Sequence, residues 1–350
     1  MSTVVALDIG SSALAGAEVK DGFTLTKAHV EDLPEGLVVD GEVAEPVDLA
    51  NRIKSFWKAS KFNGRSVRLG VANQRVVVRT VDLPMIEDTR ELEEAVLVEA
   101  AEQIPIPPDQ AIVDFQPIGW YEGEEGPRQR IVIVAAHREM IDTLMSVVRR
   151  AGLKVENIDL EAFALIRALT PRVPAEAVGG AQVVCHIGAG ATNIVVTSDR
   201  VSQFTRLVGL GGVDLTTAVA DQTGLALDEA EALKAACGLL GDIPAGWDEQ
   251  SVTRVRHALA LAVRPLVQEI GRTIDFYRIQ EFSQEIDGLI LSGGTSLCAG
   301  LDQYIQQALG IPVTVGRPLQ NLTKTADLSP DVATRAAVAV GLALDAPEES

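Results

Sequence analysis

Hydrophobic and polar positions in this chain alternate between a period of two and a period near 3.6, and the switch recurs along its whole length. Residues 3–9, 14–19 and 23–30 are short runs of β-branched and small apolar residues, the pattern of three strands in one meander. Residues 48–60 follow at helical spacing, with Leu49, Ile53, Phe56 and Trp57 on one side, and further strands are predicted at 67–72 and 75–82. Gly22, Gly64 and Asn73-Gln74 punctuate these elements. A helix over 88–103 is read from Leu92, Ala95, Val96 and Glu99. It ends at Pro105, Pro107 and Pro108, because proline donates no amide hydrogen and cannot continue the ladder. Strands at 111–119 and 131–136 flank the acidic turn Glu122-Gly123-Glu124-Glu125-Gly126, and a helix is predicted at 138–151. The span 83–160 therefore has its own order of helix, strand, strand, helix and strand, which reads as a unit inserted into the first half.

After a polar link at 173–182 the pattern starts again, with strands at 182–187, 193–197 and 201–207 and helices at 213–223 and 228–237. A long helix over 252–280 carries Val255, Leu259, Val263, Leu266, Ile270, Ile274 and Tyr277 at steps of three and four, a core-facing stripe. Pro265 is expected to kink or divide it.

A glycine-centred turn between strand patterns occurs in both halves, as Leu7-Asp8-Ile9-Gly10-Ser11-Ser12 and as Cys185-His186-Ile187-Gly188-Ala189-Gly190-Ala191-Thr192-Asn193. The copies lie about half a chain apart, which reads as an internal duplication. A hairpin tip of small residues leaves backbone N–H groups free to bind phosphate, and two such tips facing each other can clamp one polyphosphate. A third turn, Ser292-Gly293-Gly294-Thr295-Ser296, follows the apolar run 289–291 and lets backbone approach a flat ring. Each turn alone is compatible with a plain tight bend; their order and spacing carry the reading.

These residues resemble the actin-like ATPase superfamily, with phosphate loops at 8–15 and 186–193 and an adenosine loop at 292–296. Phe204-Thr205-Arg206 followed by Gly211-Gly212-Val213-Asp214-Leu215-Thr216 is similar to the segment after the second phosphate loop. Ala230-Glu231-Ala232-Leu233-Lys234 is similar to the helix that edges the nucleoside. The stretch from Arg79 through Leu83-Pro84-Met85 and Glu99–Pro107 to Asp114-Phe115 resembles, more narrowly, the PilM family of type IV pilus assembly proteins, relatives of the division protein FtsA. The similarity runs over roughly 3–344.

The resemblance implies an α/β fold of actin-like (ribonuclease H-like) type, duplicated into two domains with an inserted small α/β subdomain. The first half would span 1–172 with the insert at about 83–160, and the second 173–350 with a nucleoside-binding subdomain at about 213–290. It implies ATP or ADP with Mg²⁺, the metal held through water by Asp8. Gly10, Ser11 and Ser12 on one side and Gly188, Ala189, Gly190 and Thr192 on the other would take the phosphates, with Gly211 and Gly212 behind them. Glu231 and Lys234 would reach the ribose or base, and Gly293, Gly294 and Thr295 would admit the adenine. It also implies a groove for the cytoplasmic N-terminal peptide of the inner-membrane protein PilN, near Val77, Arg79, Val81 and Leu83, and contacts with other inner-membrane and motor components of the pilus.

Two departures from that pattern bear on chemistry. Ala15 stands where the family carries a lysine, and His186 stands where the second loop begins with aspartate. Neutral imidazole supplies neither the charge nor the hard oxygen that Mg²⁺ prefers. Nucleotide binding with weak or absent hydrolysis is therefore expected, and no catalytic residue is assigned. The alternatives are a type II secretion-like or FtsA-like protein of the same family, or a small-molecule kinase. A kinase needs a base for its acceptor hydroxyl, and none stands out. An FtsA-like chain would end in a basic amphipathic helix, whereas Leu344–Ser350 is acidic.

Composition narrows the setting. A formal net charge of −19 argues against nucleic acid or an anionic membrane surface as the main partner. Cys185, Cys237 and Cys298 are odd in number and lack C-x-x-C spacing, so neither a disulfide framework nor a zinc site is indicated. The start has no basic stretch or cleavage site, and no apolar run approaches the ~20 residues of a span. The expectation is a cytoplasmic protein without membrane insertion, peripheral at the inner face of the cytoplasmic membrane through a partner.

Overall fold

The computed structural model describes residues 3–124, 126–171, 179–280, 282–323 and 326–345. Most of the link expected at 173–182, Glu125 of the acidic turn and the last five residues lie outside the described residues.

The opening meander forms as read: β1 (Thr3–Ile9), β2 (Ala13–Lys20) and β3 (Thr24–Asp32) are antiparallel neighbours. A two-stranded hairpin, β4 (Val38–Val39) and β5 (Glu42–Val43), leads into α1 (Pro46–Ser60), which starts on proline, where the missing amide is no loss. Then come β6 (Ser66–Val71), β7 (Val76–Pro84), α2 (Thr89–Gln103), β8 (Ala111–Gly123), β9 (Gly126–His137), α3 (Arg138–Arg150), β10 (Lys154–Leu160) and α4 (Glu161–Leu169). The first sheet has the order β10-β6-β1-β2-β3, with β6 and β10 parallel to β1. Val5, Ala6 and Leu7 are buried, as befits a central strand covered on both faces.

The second half repeats this plan. It comprises β11 (Ala181–Ile187), β12 (Thr192–Ser198), β13 (Val201–Val208), α5 (Gly212–Thr223), α6 (Leu227–Cys237), α7 (Glu249–Arg278) and β14 (Ile286–Ser292). A 3-10 turn (Gly294–Leu297), α8 (Leu301–Leu309) and β15 (Val313–Val315) complete it. Its sheet order, β13-β12-β11-β14-β15, matches the first strand for strand, with β11 taking the part of β1. The last elements are α9 (Pro330–Arg335) and α10 (Ala337–Ala343).

Three expectations are corrected. The insert does not run over 83–160: its sheet, in the order β7-β9-β8, begins at Val76, while β10 pairs with β6 in the first sheet. Met140, Leu144, Val147 and Val148 of α3 likewise sit in the first core. Nor is 173–350 one body, because Ala336–Leu344 return to the first core, where α10 packs on α4, β1, β2 and β6. Alternation along the chain predicts strands and helices, but not which sheet they join. Finally, α7 is one helix through Pro265. Pro265 and Leu261, whose carbonyl loses its donor, are both exposed, which puts that carbonyl on the solvent side of the helix, while buried Val263, Leu266 and Val267 hold the next turn in place.

Helices α4 and α10 are apolar nearly all round and buried, as expected of helices enclosed on every side. α4 packs against β6 and β10 of the first sheet and against β11, β12 and β13 of the second. The cleft between the halves opens at its N-terminal end, where Glu161 is the first helical residue.

Candidate nucleotide site

The two hairpin tips are superimposable in their bonding. Gly10 N donates to Ala13 O at 2.9 Å, and Gly188 N donates to Ala191 O at 2.9 Å. The offset that carries Gly10 onto Gly188 also carries Asp8 onto His186. The tips meet across the cleft, since a Cβ placed on Gly190 would stand 3.3 Å from Ser11 Oγ. Among the described residues, the amides of Ser11, Ser12, Ala189 and Gly190 donate to no protein acceptor. Four donors therefore gather where the tips meet, a nest suited to an anion.

Behind the second tip the backbone is tightly layered. Gly212 N donates to Gly188 O and Val213 N to Ala189 O, both at 2.9 Å. Thr192 Oγ1 donates to Leu210 O at 2.7 Å, and Thr295 Oγ1 to Gly188 O at 3.3 Å. A Cβ on Gly211 would collide with Ala189 O, and one on Gly212 with Thr295 Oγ1. Gly293 has φ +85° and its Cβ would collide with Ile187 O. These three glycines allow close backbone packing that fixes the loops. Gly294, by contrast, opens the 3-10 turn with its nearest neighbour, Arg335 Cγ, at 3.7 Å from a built Cβ.

Lys234 is buried, and its Nζ donates to Gly212 O at 3.2 Å, Thr216 Oγ1 at 3.0 Å and Glu231 Oε2 at 2.6 Å. Its three donors tie α6 to the start of α5. Glu231 also accepts from Thr216 Oγ1 and is the more exposed partner, 56% against 7% for the side chains.

At the floor, Asp8 is the penultimate residue of β1 and Glu161 begins α4. Burial pushes the Asp8 carboxyl up to about 7. Burial and then the Asp8 charge push Glu161 well above the usual carboxylate range, against the opposing hydrogen bond from Asn193. That bond, Asn193 Nδ2 to Glu161 Oε2 at 3.0 Å, joins the two halves. Burial pulls His186 down to about 4, so its ring is neutral near pH 7, with Nδ1 3.2 Å from Ser292 Oγ. Ala15 is buried opposite Asp8 in the β1–β2 ladder and brings no cation to the floor.

Comparison with known proteins identifies the family. The model for type IV pilus assembly protein PilM matches residues 6–346. The chain belongs to the PilM family. Among solved structures, the PilM-PilN type IV pilus biogenesis complex is similar at TM-score 0.83 and 29% identity, over 97% of each chain. MreB5 of Spiroplasma citri bound to ADP shares the fold, at TM-score 0.55 and 13% identity over 92% of this chain and 93% of that one. The cell division protein FtsA of Streptococcus pneumoniae is 22% identical over 90% of this chain and 75% of its own length. PilM-family membership and FtsA kinship agree with the actin-like reading of the motifs.

Of the residues expected at the site, Ser11 meets Gly190 across the halves, while Gly188, Ala189, Thr192, Gly211, Gly212, Glu231, Lys234, Gly293 and Thr295 are linked behind the second tip by the contacts above. Glu161 and Asn193 escaped the sequence reading as site residues. Glu161 follows a strand and opens a helix, which marks an N-terminal acid of any helix, and its nearness to Asp8 is a tertiary fact. Of the four residues expected to wall a groove, Val81 and Leu83 are buried in the core of the insert, Val77 is half-buried against it and Arg79 is exposed. An apolar cavity of about 370 Å³ lies by the end of α2, lined by Leu97, Ala100, Ile104, Ile106, Val113 and Arg138. A polar recess of about 600 Å³ adjoins it through Arg138, with Arg75, Asp109, His137 and Asp142.

Among the described residues no three His, Cys, Asp or Glu side chains are grouped to hold a metal, and no helix is long and apolar enough to cross a membrane. The three cysteines are free and buried, and burial pushes all their thiols up, Cys185 to about 12, which leaves them unreactive.

Proposed function

We propose that this chain is a nucleotide-binding scaffold of a type IV pilus assembly machine. It holds ATP or ADP with Mg²⁺ between its halves and takes the cytoplasmic N-terminal peptide of a PilN-type inner-membrane partner, which keeps it at the inner face of the cytoplasmic membrane. The observation that carries the nucleotide reading is the meeting of two equivalent hairpin tips with four unpaired amides. Glu231, beside the second tip and exposed, is available to a ribose hydroxyl, and Gly294 leaves space against Arg335 for a flat base.

The floor suits a dication. Burial raises the proton affinity of Asp8, burial and the Asp8 charge raise that of Glu161, and a divalent cation would offset both effects, held largely through water as Mg²⁺ prefers. When bound, Mg²⁺ would neutralise phosphate charge. Asn193 from the second half fixes one carboxyl oxygen of Glu161 beside Asp8, so the floor draws on both halves. Ala15 and neutral His186 leave the floor short of one cation and one acid, which supports slow turnover and a role for nucleotide in holding the halves together.

For the partner, the apolar cavity beside α2 is sized for one or two aliphatic side chains, and the polar recess beyond Arg138 offers charged groups to a peptide backbone. The likeness to the PilM-PilN complex supports this choice of partner. The test is calorimetric titration of the purified protein with Mg-ATP, with and without a synthetic peptide of the partner's cytoplasmic N-terminus. Micromolar binding of both is expected. Peptide binding without nucleotide would make the tips purely structural, and binding of neither would overturn the assignment.

A further inference from the structure

The inserted sheet touches the second half as well as the first. One of its faces carries the α2 core; the other bears Arg130 and the buried Val132, and β7 runs beside β13. At this seam the Arg130 guanidinium lies 4.5 Å from the ring centre of Phe282 and 5.5 Å from that of Tyr121. Asp82 orients it, with Arg130 Nε donating to Asp82 Oδ1 at 3.0 Å, and Arg128 Nη2 holds the Asp82 backbone carbonyl at 2.6 Å. Tyr121, Asp82 and Arg130 belong to the insert; Phe282 belongs to the second half, where it packs on the core between α7 and β14. β14 runs from there to Ser292, the hydrogen-bond partner of His186, and into Gly293.

We infer that Arg130 is a latch that fastens the insert to the second half when the cleft is closed, so that nucleotide and insert are coupled through it. The inference rests on the nucleotide reading above. A planar guanidinium between two aromatic rings is a directional contact that a modest rotation breaks. Here it is made in the arrangement in which Ser11 and Gly190 meet. A ligand that clamps both tips favours that arrangement, and therefore favours the latch; by reciprocity the latch strengthens the ligand. Arg130 is a positioning residue, distant from the tips, and touches neither ligand.

Amide hydrogen exchange on the whole chain tests this, with Arg130→Lys and Phe282→Leu as variants. Lysine keeps the charge for Asp82 but not the plane, and leucine keeps apolar bulk but not the ring. Without ligand, both variants are expected to exchange the hairpin around 119–130 several-fold faster than the parent; equal exchange overturns the latch. With saturating Mg-ATP the parent is expected to gain protection both at 188–193 and in the hairpin. The variants should keep the first and lose the second, with nucleotide affinity weakened by about tenfold. Protection at 188–193 without any in the parent's hairpin, or a hairpin response that survives in both variants, overturns the coupling. No response at 188–193 in the parent overturns the nucleotide reading itself, while the ligand-free comparison still decides the latch.

Discussion

Asp8, Glu161 and His186 are three titratable groups whose surroundings oppose the charge each would carry, and the direction of each shift gives a stability statement. Asp8 keeps its proton up to about 7 in the folded chain but only to 3.8 when unfolded. The folded state therefore binds more protons between those values, and stability falls as pH rises through them. Asp8→Asn is expected to raise Tm by a few degrees at pH 8, to flatten this dependence between about pH 4 and 7, and to weaken Mg-ATP binding at least tenfold. Thermal scans and titration read these together, and a lower Tm at pH 8 would show Asp8 to be a structural acid. His186 has the opposite sign. Its folded value of about 4 lies below 6.5, so the unfolded chain binds more protons and stability grows with pH between them. His186→Asn is therefore expected to raise Tm at pH 5 and to leave it nearly unchanged at pH 8. Asp8 was legible in the sequence as an acid ending a buried strand. Glu161 was not, because two carboxyls distant in sequence meet only once α4 is laid between the sheets.

Among the elements, the glycine turns separate into two kinds that the sequence does not distinguish. Gly190 looks across the cleft at a serine hydroxyl that can rotate away, whereas Gly293 sits at positive φ against the Ile187 backbone. Gly190→Val is expected to leave the urea midpoint nearly unchanged and to lower ATP affinity by wedging the tips apart. Gly293→Ala is expected to cost about 2–4 kcal/mol by urea denaturation, because a Cβ there is both strained and in collision with main chain. If Gly293→Ala keeps full stability, the close packing of the third turn on β11 is not what holds the site. Strand periods placed β1, β2, β3, β6, β11, β12 and β13 within two residues of their ends, whereas β10 and β15 were given no bounds and β14 was seen only as the apolar run 289–291. Pro265 misled because a proline weakens a helix only as far as its neighbours let it, and buried Val263, Leu266 and Val267 fasten α7 on both sides.

At the scale of the molecule, the two halves are separate sheets joined through α4, which packs on both, and the last helix, α10, packs on α4 and completes the first core. The two helices cross at Gly341, where a Cβ would overlap the Ala164 carbonyl; Arg167 Nε donates to Gly341 O at 2.8 Å beside that crossing. Gly341→Leu is expected to lower Tm by at least ~5 °C and to loosen β1, β2 and β6 together, read as faster amide exchange in the first sheet. Unchanged exchange there would mean that α10 is an accessory to the fold. The sequence by itself determined the duplicated strand–turn–strand plan, the three glycine turns and the acid at the end of β1, because periodicity and turn chemistry are local and each is written in neighbouring residues. Only the tertiary structure decided that β10 and α3 belong to the first half, that α10 returns to it, that Glu161 faces Asp8, and that the insert rests on both halves. Those are pairings between surfaces far apart in the chain, fixed by which apolar faces can be buried together, and no window of sequence contains both partners.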